Sequence, residues 1–543
     1  MMRNSAFALS CLAALVPTVE AVSYCLPDDS CFPSEDELQQ FNATVKGRLI
    51  KVVPYAQACY EDTYDAEACK ELAAKRQDPT WRMSLPAGLI YTTWEQAGDE
   101  GCYIPLLPAD GSSPAPIQGK CSLGGMSSLP EPGQDILGYH PGSGSFPTWM
   151  HHMNSMESIN NFSPKRNSGV GQRVISAGPG VLVQELYDFG ARYDVITTGG
   201  YGPTVGATGG FILGGGTGPF SSTIGLGIDN VVQFDVVTAD GEEKAVNECT
   251  NPDLFWAMRG GGGVFGVHTR VYLKTHTQPA AVNWMVNLIR CDDDSSFKKL
   301  ISTMIEIQLS LREKGEKSGL WTSNTKFKNI VMISIAPQFG VPVSTNATLN
   351  AFAPIFQVPG CQASPKTGTE KQWNDVFRRI FWHVITRAAP SGTNILDSSR
   401  IVTYEQMESE SGRQRITEYI TNLSPNITFL WQNSVGGPTR DAAPDATSVN
   451  PIWREAFAFV NAPINGPVER VTEEQTNLQI DNTRNMTKAF GTAAYYSEAN
   501  EFEVEWQESF FGSNYARLLK IKNEVDPQRV FNCRLCVGSE EGY

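Results

Sequence analysis

Alternation between apolar and polar positions is the clearest pattern in the sequence. Residues 267–274 alternate strictly, and this period of two predicts a β-strand. Residues 231–238 alternate in the same way and end in an Ala-Asp-Gly turn, which predicts a second strand. Residues 182–192 predict a helix that leads into a short strand at Val195 and Ile196. We therefore expect strands alternating with short helices between residues 172 and 275.

From about residue 280 the pattern changes to apolar strands separated by longer helices. The predicted strands are 284–289 and 330–335, and the predicted helices are 297–311, 373–385 and one beginning at 453–459. Nearer the N-terminus, Ser34 followed by Glu37 predicts a capped helix start. A chain of 543 residues is too long for a single core, so two or more domains are expected.

Glycine is concentrated between residues 199 and 266. The run 199–210 contains six glycines, and further groups follow at 214–216 and 260–263. Such loops let the backbone approach a large ligand, and their exposed N–H groups suit an anion such as a pyrophosphate. A flexible linker is the alternative, but linkers are polar and repetitive, whereas these loops contain Phe211 and Leu213. The composition favours a cofactor cradle.

A Rossmann unit does not explain these glycines. Gly261, Gly263 and Gly266 satisfy G-x-G-x-x-G, a pattern that in a dinucleotide-binding unit opens a helix. Here the predicted strand 267–274 follows instead, which argues against NAD binding of that type.

The order of the motifs resembles that of secreted FAD-linked oxidases of the vanillyl-alcohol-oxidase type, in particular the berberine-bridge-enzyme-like branch. Isoamyl-alcohol-oxidase-like proteins are candidates within it. The resemblance covers nearly the whole mature chain and rests on an N-terminal and a C-terminal block of motifs: Gly199–Gly210, Gly214–Gly216, Ser221-Ser222, Gly225-Leu226, 236–241, 253–257 and 260–266, then Tyr495, Glu498, Trp506, Phe511-Gly512, Asn514-Tyr515, Leu518, Lys522, Asp526-Pro527 and Phe531.

The resemblance implies an α+β fold with a two-part PCMH-type FAD-binding domain and a separate α+β substrate domain over the flavin. The expected boundaries are a signal peptide at 1–21, a Cys-containing region at 22–120, the FAD-binding domain at 121–279, the substrate domain at 280–490 and a return to the FAD domain at 491–543.

The implied cofactor is FAD. We expect its pyrophosphate and ribityl chain to contact backbone N–H groups of the first two glycine runs, and its adenine end to lie near Gly263 and Val267. The residues expected to contact the pyrophosphate and ribityl chain are Gly200, Thr204, Val205, Gly206, Gly209, Gly210, Gly214, Gly215 and Gly216. Asp229 either contacts the cofactor or caps the turn before the 231–238 strand.

Two departures from the family concern the cofactor. Gln134 stands where relatives have a histidine bonded to the flavin, and Gly202 stands where bicovalent members have a cysteine. Neither residue can form the bond, so we expect FAD to be held non-covalently. Residues 122–132 also look too short for the strands and helix that the family places there, which indicates either a lost exon or a truncated member.

The catalytic candidates lie on the predicted C-terminal return strand. Tyr495, Tyr496 and Glu498 are candidates for the base that takes the substrate's proton. Strand alternation would send the two tyrosines to opposite faces, and packing is the alternative role for each. Ser497 replaces an asparagine that contacts the flavin in many relatives. No metal-binding motif is complete.

Charge and targeting signals narrow the partners. The net charge of −15 argues against nucleic acid and anionic membranes. Residues 1–21 have the pattern of a signal peptide, and six N-x-S/T triplets fit glycosylation. Secretion makes disulfides expected, with local pairs at Cys25/Cys31, Cys59/Cys69 and Cys102/Cys121. Eleven of the twelve cysteines remain after the signal peptide, so at least one thiol should be free.

Three functions remain open on the sequence. The first is a secreted oxidoreductase that passes a hydride from a small alcohol or secondary-metabolite intermediate to FAD, with oxygen as the second substrate. The second is a catalytically silent secreted binding protein that keeps the fold. The third is a carbohydrate oxidase.

Overall fold

The computed structural model describes most of the chain: residues 30, 32–50, 54–86, 102–119, 121, 149–165, 171–313, 318–339, 344–382, 391–465, 471–498 and 502–541. The predicted signal peptide, Cys25/Cys31, Gln134 and the short segment 122–132 lie outside the described residues.

The N-terminal region forms short helices around a small core of its own. The helices are α1 (Glu35–Thr44), α2 (Ala66–Lys75) and α3 (Pro79–Met83). The predicted cap is confirmed, because the Glu37 N–H donates to Ser34 Oγ and the Glu37 carboxylate accepts from the Ser34 N–H. Cys59, Cys69, Cys102 and Ile104 are buried in this core.

An antiparallel sheet carries the glycine-rich segment. Its strands lie in the order β1-β2-β6-β4-β5, with bounds β1 Met156–Phe162, β2 Gln172–Ala177, β4 Val231–Val237, β5 Glu243–Val246 and β6 Val267–Lys274. A separate two-stranded pair joins β3 (Val195–Ile196) to β7 (His276–Thr277). The helices here are α4 (Val183–Arg192), α5 (Gly210–Leu213), α6 (Ser221–Ile224) and α7 (Pro252–Ala257).

A second antiparallel sheet follows in the order β11-β8-β10-β9-β15-β16-β14, with β12 also pairing with β8. Its strands are β8 Ala281–Cys291, β9 Ser318–Asn324, β10 Asn329–Gln338, β11 Cys361–Ala363, β12 Lys366–Glu370, β14 Ser399–Thr403, β15 Phe429–Gln432 and β16 Ala456–Asn461, and β13 (Ile395–Leu396) pairs with β17 (Ile464–Asn465) beside it. The α+β class predicted from the sequence is confirmed.

Helices cover one face of the second sheet, and the glycine-rich region covers the other. Along β10, Ile333 and Ile335 join the core shared with the first sheet, whereas Met332 joins the core under the helices. The helices after β7 are α8 Asp294–Glu313, α9 Thr345–Ala351, α10 Ala353–Phe356, α11 Trp373–Val376, α12 Tyr404–Glu408, α13 Glu410–Thr421, α14 Pro438–Asp441 and α15 Glu473–Phe490. No helix in the described ranges is both long and apolar enough to span a bilayer.

Two predicted helices differ from the structure. The segment 453–459 is the end of a 3-10 turn (Pro451–Glu455) followed by strand β16, because its apolar residues are buried on both faces of the sheet. The helix predicted at 373–385 begins at Trp373 but continues as a π-helical turn, Phe377–Phe381.

The C-terminal segment contributes two helices to the core of the first sheet. Helices α16 (Trp506–Phe511) and α17 (Tyr515–Val525) pack against it. The ammonium group of Lys522 is buried and donates to the carbonyl oxygen of Val264 at 2.6 Å and to Asp526. This contact joins α17 to the loop that precedes β6.

Disulfides join residues near and far in sequence. The predicted pairs Cys59–Cys69 and Cys102–Cys121 are confirmed. Two further disulfides are Cys291–Cys361, between β8 and β11, and Cys533–Cys536. Cys249 is a free, exposed thiol, so the predicted odd cysteine is confirmed.

Candidate functional site

The glycine run 199–216 follows β3 and includes α5. Within it, Gly215 and Gly216 have φ of +134° and +77°, values that L side chains rarely adopt. Gly214 has no room for a side chain, since a Cβ would lie 2.0 Å from Ser497 Oγ. These three glycines are explained by the conformation and contacts of the chain itself.

Gly206 and Gly209 need a different explanation. Neither has a positive φ, and a Cβ built on either residue would meet no atom within 4 Å among the described residues. Both therefore border space that the described residues leave open. Glycine here leaves the backbone free for close approach by a ligand, as the predicted FAD cradle requires.

The remaining predicted cofactor residues are spread around this loop. Thr204 and Val205 lie in the turn before Gly206, and the Val205 carbonyl accepts from Val183 at the start of α4. Gly200 and Gly210 flank the turn, with Gly200 O accepting from Tyr187 Oη. Gly263 lies in the loop before β6, and Val267 begins that strand opposite Val237.

Residues 494–498 cross between the two sheets. Ala493 O accepts from the Ile401 N–H, and the Tyr495 N–H donates to Ser399 Oγ, so β14 holds the segment on one side. On the other side Ser497 Oγ donates to Gly210 O at 3.2 Å. The predicted return strand is wrong: residues 496–498 form a 3-10 turn, in which the Glu498 N–H donates to the Tyr495 carbonyl within the segment instead of to a neighbouring strand.

The two tyrosines point to different places. The Gly216 N–H donates to Tyr495 Oη at 3.1 Å, and the Tyr495 ring packs edge-on against Trp453 and Phe459. Tyr496 Oη instead lies 3.1 Å from Cys536 Sγ. Tyr495 therefore faces the glycine loop and Tyr496 the C-terminal tail.

Glu498 belongs to a carboxyl pair that sequence reasoning did not find. Asn461 Nδ2 donates to Asp397 Oδ2 at 2.9 Å and also to Glu498 Oε2. Asn461 Oδ1 accepts from Gln432 Nε2 at 3.1 Å. Asp397, Asn461 and Gln432 are distant in sequence and fit no local motif, so only the pairing of β14, β15 and β16 brings them together.

Burial changes the acidity of both carboxyl groups. It raises the pKa of Glu498 to about 7 and raises the pKa of Asp397 well above its usual range, with the charge of Glu498 adding to the effect on Asp397. Each of the two residues is nevertheless only partly buried. A carboxyl group with a pKa near neutrality, such as that of Glu498, is suited to act as a general base.

Other polar candidates have structural partners. Asp229 accepts from the Leu226 N–H at 3.0 Å and forms a bidentate ion pair with buried Arg454, so it caps the turn. Burial lowers the pKa of His268 to about 4, and His276 bonds to Asn230. Within the described ranges, no cluster of three or more His, Cys, Asp or Glu side chains is arranged for a metal ion.

The residues present fit FAD. Open space borders Gly206 and Gly209, and next to the run the buried hydroxyl of Thr198 has no hydrogen-bond partner among the described residues. A ligand with polar groups that lay along this loop would give the Thr198 hydroxyl a hydrogen-bond partner.

Known proteins support the same assignment. The family model for the FAD binding domain matches residues 138–247, and the model for berberine and berberine-like proteins matches residues 494–538. The chain is 28% identical over 553 residues to an FAD-linked oxidoreductase of Arthroderma benhamiae, covering 95% of this chain and 94% of the relative. The FAD-linked oxidoreductase malF of Malbranchea aurantiaca is 27% identical, with 99% and 96% covered.

Solved structures share the fold. The VAO-type flavoprotein MtVAO713 of Myceliophthora thermophila superposes with a TM-score of 0.79 at 22% identity, covering 96% of this chain and 98% of that one. A xylooligosaccharide oxidase of the same organism has a TM-score of 0.55 at 19% identity, covering 72% and 80%. The fold is thus that of VAO-type flavoproteins.

These findings confirm the resemblance deduced from the sequence. The chain is an enzyme of the FAD-linked oxidoreductase class, with an FAD-binding domain and a berberine-like C-terminal module.

Proposed function

We propose that the protein is a secreted FAD-dependent oxidoreductase that removes a hydride from a small alcohol or a secondary-metabolite intermediate, with oxygen as the final acceptor. One observation carries the proposal: the carboxyl pair at Glu498 adjoins the segment that contacts Gly210, Gly214 and Gly216. The proposed base therefore lies beside a segment that contacts the same glycine run in which Gly206 and Gly209 border open space.

FAD would be held by the glycine loop around Gly206 and Gly209, without a covalent bond to Gln134 or Gly202. When bound, the flavin accepts a hydride and returns the electrons to oxygen. The protein must hold the substrate, take its hydroxyl proton and exclude water from the site.

Glu498 is the best-placed of the three predicted bases. Its carboxylate would take the proton of the substrate hydroxyl while the C–H bond breaks and its electron pair leaves as hydride, so that a C=O bond forms. Tyr495 Oη already accepts from Gly216, and Tyr496 Oη lies against Cys536. A base with a pKa near neutrality suits this step.

The test is rapid anaerobic mixing of the FAD-loaded protein with alcohols that an oxygen-electrode screen identifies. Glu498→Gln should slow flavin reduction by about 10²–10⁴-fold, the usual loss for a general base. Because burial raises the pKa of Glu498 to about 7, and only the ionised form accepts a proton, the rate of the parent protein should rise with pH through about 7. A parental rate in Glu498→Gln would refute the assignment.

Two alternatives use the same assays. The fold likeness to a protein named xylooligosaccharide oxidase supports a carbohydrate oxidase, and oxygen consumption with oligosaccharides but not alcohols would favour it. A protein that stays colourless after addition of FAD would favour the silent binding protein.

A further inference from the structure

Three segments converge on the Asn461 amide. Asn461 ends β16 and pairs with Ser399 of β14, two residues after Asp397. Ser399 Oγ accepts from the Tyr495 N–H, and the Glu498 N–H donates to Tyr495 O. The pairing of β14 with β16 fixes Asp397, and the 3-10 turn fixes Glu498, so that their carboxyl groups both lie next to Asn461 Nδ2.

This arrangement places two acids very close together. Both carboxyl oxygens lie within hydrogen-bond distance of the same Nδ2 atom, so they are at most about 6 Å apart. Two carboxylates that share such a site do not both ionise readily, and one keeps its proton. Burial acts in the same direction and raises both pKa values.

Among the residues that the structure describes, the neighbouring charged and titratable groups do not neutralise the pair. Arg400, on β14, directs its guanidinium to Glu503, Thr487 and the Ser399 carbonyl. Tyr419, from α13, donates its hydroxyl to Asn482, and burial raises its pKa well above the ordinary value. Gln432, which orients Asn461, carries no charge.

We propose that Asp397, Asn461 and Glu498 form one proton-holding unit, in which Asp397 keeps a proton so that Glu498 remains the ionised member and acts as the base. Asp397 and Asn461 are positioning residues: the amide holds both carboxyl groups, and the neutral Asp397 removes the repulsion that a second carboxylate would exert. The assignment of Glu498 as the base rests on the function proposed above. The proposal that the two carboxyl groups share a proton does not depend on that function.

The shared proton can be tested on the full-length protein without cofactor. Infrared spectroscopy follows the band of protonated carboxyl groups across pH, with Asp235→Asn as the control because Asp235 is a half-buried, hydrogen-bonded carboxylate on another sheet. The parent should keep a protonated carboxyl above about pH 5, beyond the ordinary range for acids. Asp397→Asn and Glu498→Gln should each lower the pH at which the band disappears by about one unit or more, and Asp235→Asn should leave it unchanged.

Asn461→Leu should move that pH in the opposite direction. In the parent protein the Asn461 amide favours the charged form of both acids, so loss of this amide raises the pKa values of Asp397 and Glu498. Opposite shifts would not arise from general loosening of the site. The proposal would be overturned if the parent showed no protonated carboxyl above about pH 5. It would also be overturned if the band disappeared at the same pH in the parent, Asp397→Asn and Glu498→Gln. These two measurements decide the proposal even if Asn461→Leu does not fold.

The positioning role has its own readout in the FAD-loaded protein. Asparagine has the shape and neutrality of a protonated aspartic acid, whereas Asp397→Ala leaves Asn461 without its partner. Flavin reduction should therefore be at least about tenfold faster in Asp397→Asn than in Asp397→Ala. Equal rates in these two variants would remove Asp397 from the mechanism. If no substrate reduces the flavin, the proposed function fails while the infrared result still stands.

Discussion

At the scale of single residues, the structure separates glycines that serve the fold from glycines that border open space. The density of glycine in the sequence does not distinguish these two kinds. Taken by itself, it predicts that a valine at either position 209 or position 215 abolishes FAD binding. Gly215 adopts a φ of +134°, and a Cβ added there would lie 3.3 Å from Val449 Cγ1, whereas Gly209 has an ordinary φ and open space beside it. The two positions should therefore fail in different ways.

Gly209→Val should abolish FAD binding in a protein that still folds, because the side chain fills the space that the ligand needs. Gly215→Val should lower the melting temperature of the cofactor-free protein, since backbone strain of this kind costs about 1–3 kcal/mol. Flavin content and thermal unfolding, measured together, separate the two effects.

Gly241→Val is the matched control for strain. Gly241 has a φ of +77° in the exposed turn after β4, with nothing near its Cβ direction, so its variant should lose stability and keep FAD. Full flavin content in Gly209→Val would show that the open space does not hold the cofactor.

The two tyrosines give a second prediction at this scale. Tyr495→Phe loses the hydrogen bond from the Gly216 N–H and should alter flavin reduction while FAD content stays the same, because the ring packing is kept. Tyr496→Phe loses the contact between its hydroxyl and Cys536 and should act on stability. If Tyr495→Phe slows flavin reduction as much as Glu498→Gln does, Tyr495 becomes the better candidate for the base.

At the scale of elements, a buried ion pair ties the second sheet to the C-terminal module. Arg400 on β14 has a fully buried side chain and bonds to both carboxylate oxygens of Glu503. Glu503 also accepts from Ser509 on α16. The pair thus fixes β14, and the carboxyl site beside it, relative to the segment that carries Glu498.

Glu503→Gln should destabilise the protein by about 3–5 kcal/mol, because it leaves the buried Arg400 charge without the opposite charge of its carboxylate partner. Arg484 and Asp481 form an exposed pair on α15, and Asp481→Asn should change stability by less than about 1 kcal/mol. Urea unfolding of the three proteins measures both differences. Equal midpoints for Glu503→Gln and Asp481→Asn would mean that the buried pair contributes little.

At the scale of the whole molecule, the attachment of the cofactor can be tested in one step. Neither Gln134 nor Gly202 can bond to a flavin, so acid precipitation of the FAD-loaded protein should release the yellow chromophore into the supernatant. Flavin that remained in the pellet would contradict this expectation and identify another anchor, for which His140 is the first candidate.

The sequence by itself determined the features that depend on local pattern. Strict alternation located β4 and β6, the Ser34–Glu37 spacing located α1, and the cysteine spacing located two disulfides. Two blocks of motifs located the FAD-binding and berberine-like modules. Each of these signals lies within a short stretch of chain, where neighbouring residues impose the backbone geometry.

Only the tertiary structure decided how distant segments combine. Residues 456–461, of which 456–460 are apolar, form a strand because both faces of β16 are covered, and no local period reveals this. Asp397 and Asn461 are 64 residues apart, and the pairing of β14 with β16 brings them together. The turn at 496–498 then adds Glu498 to them. The raised pKa values of this site arise from burial and from the nearness of a second acid, and both are properties of the folded chain.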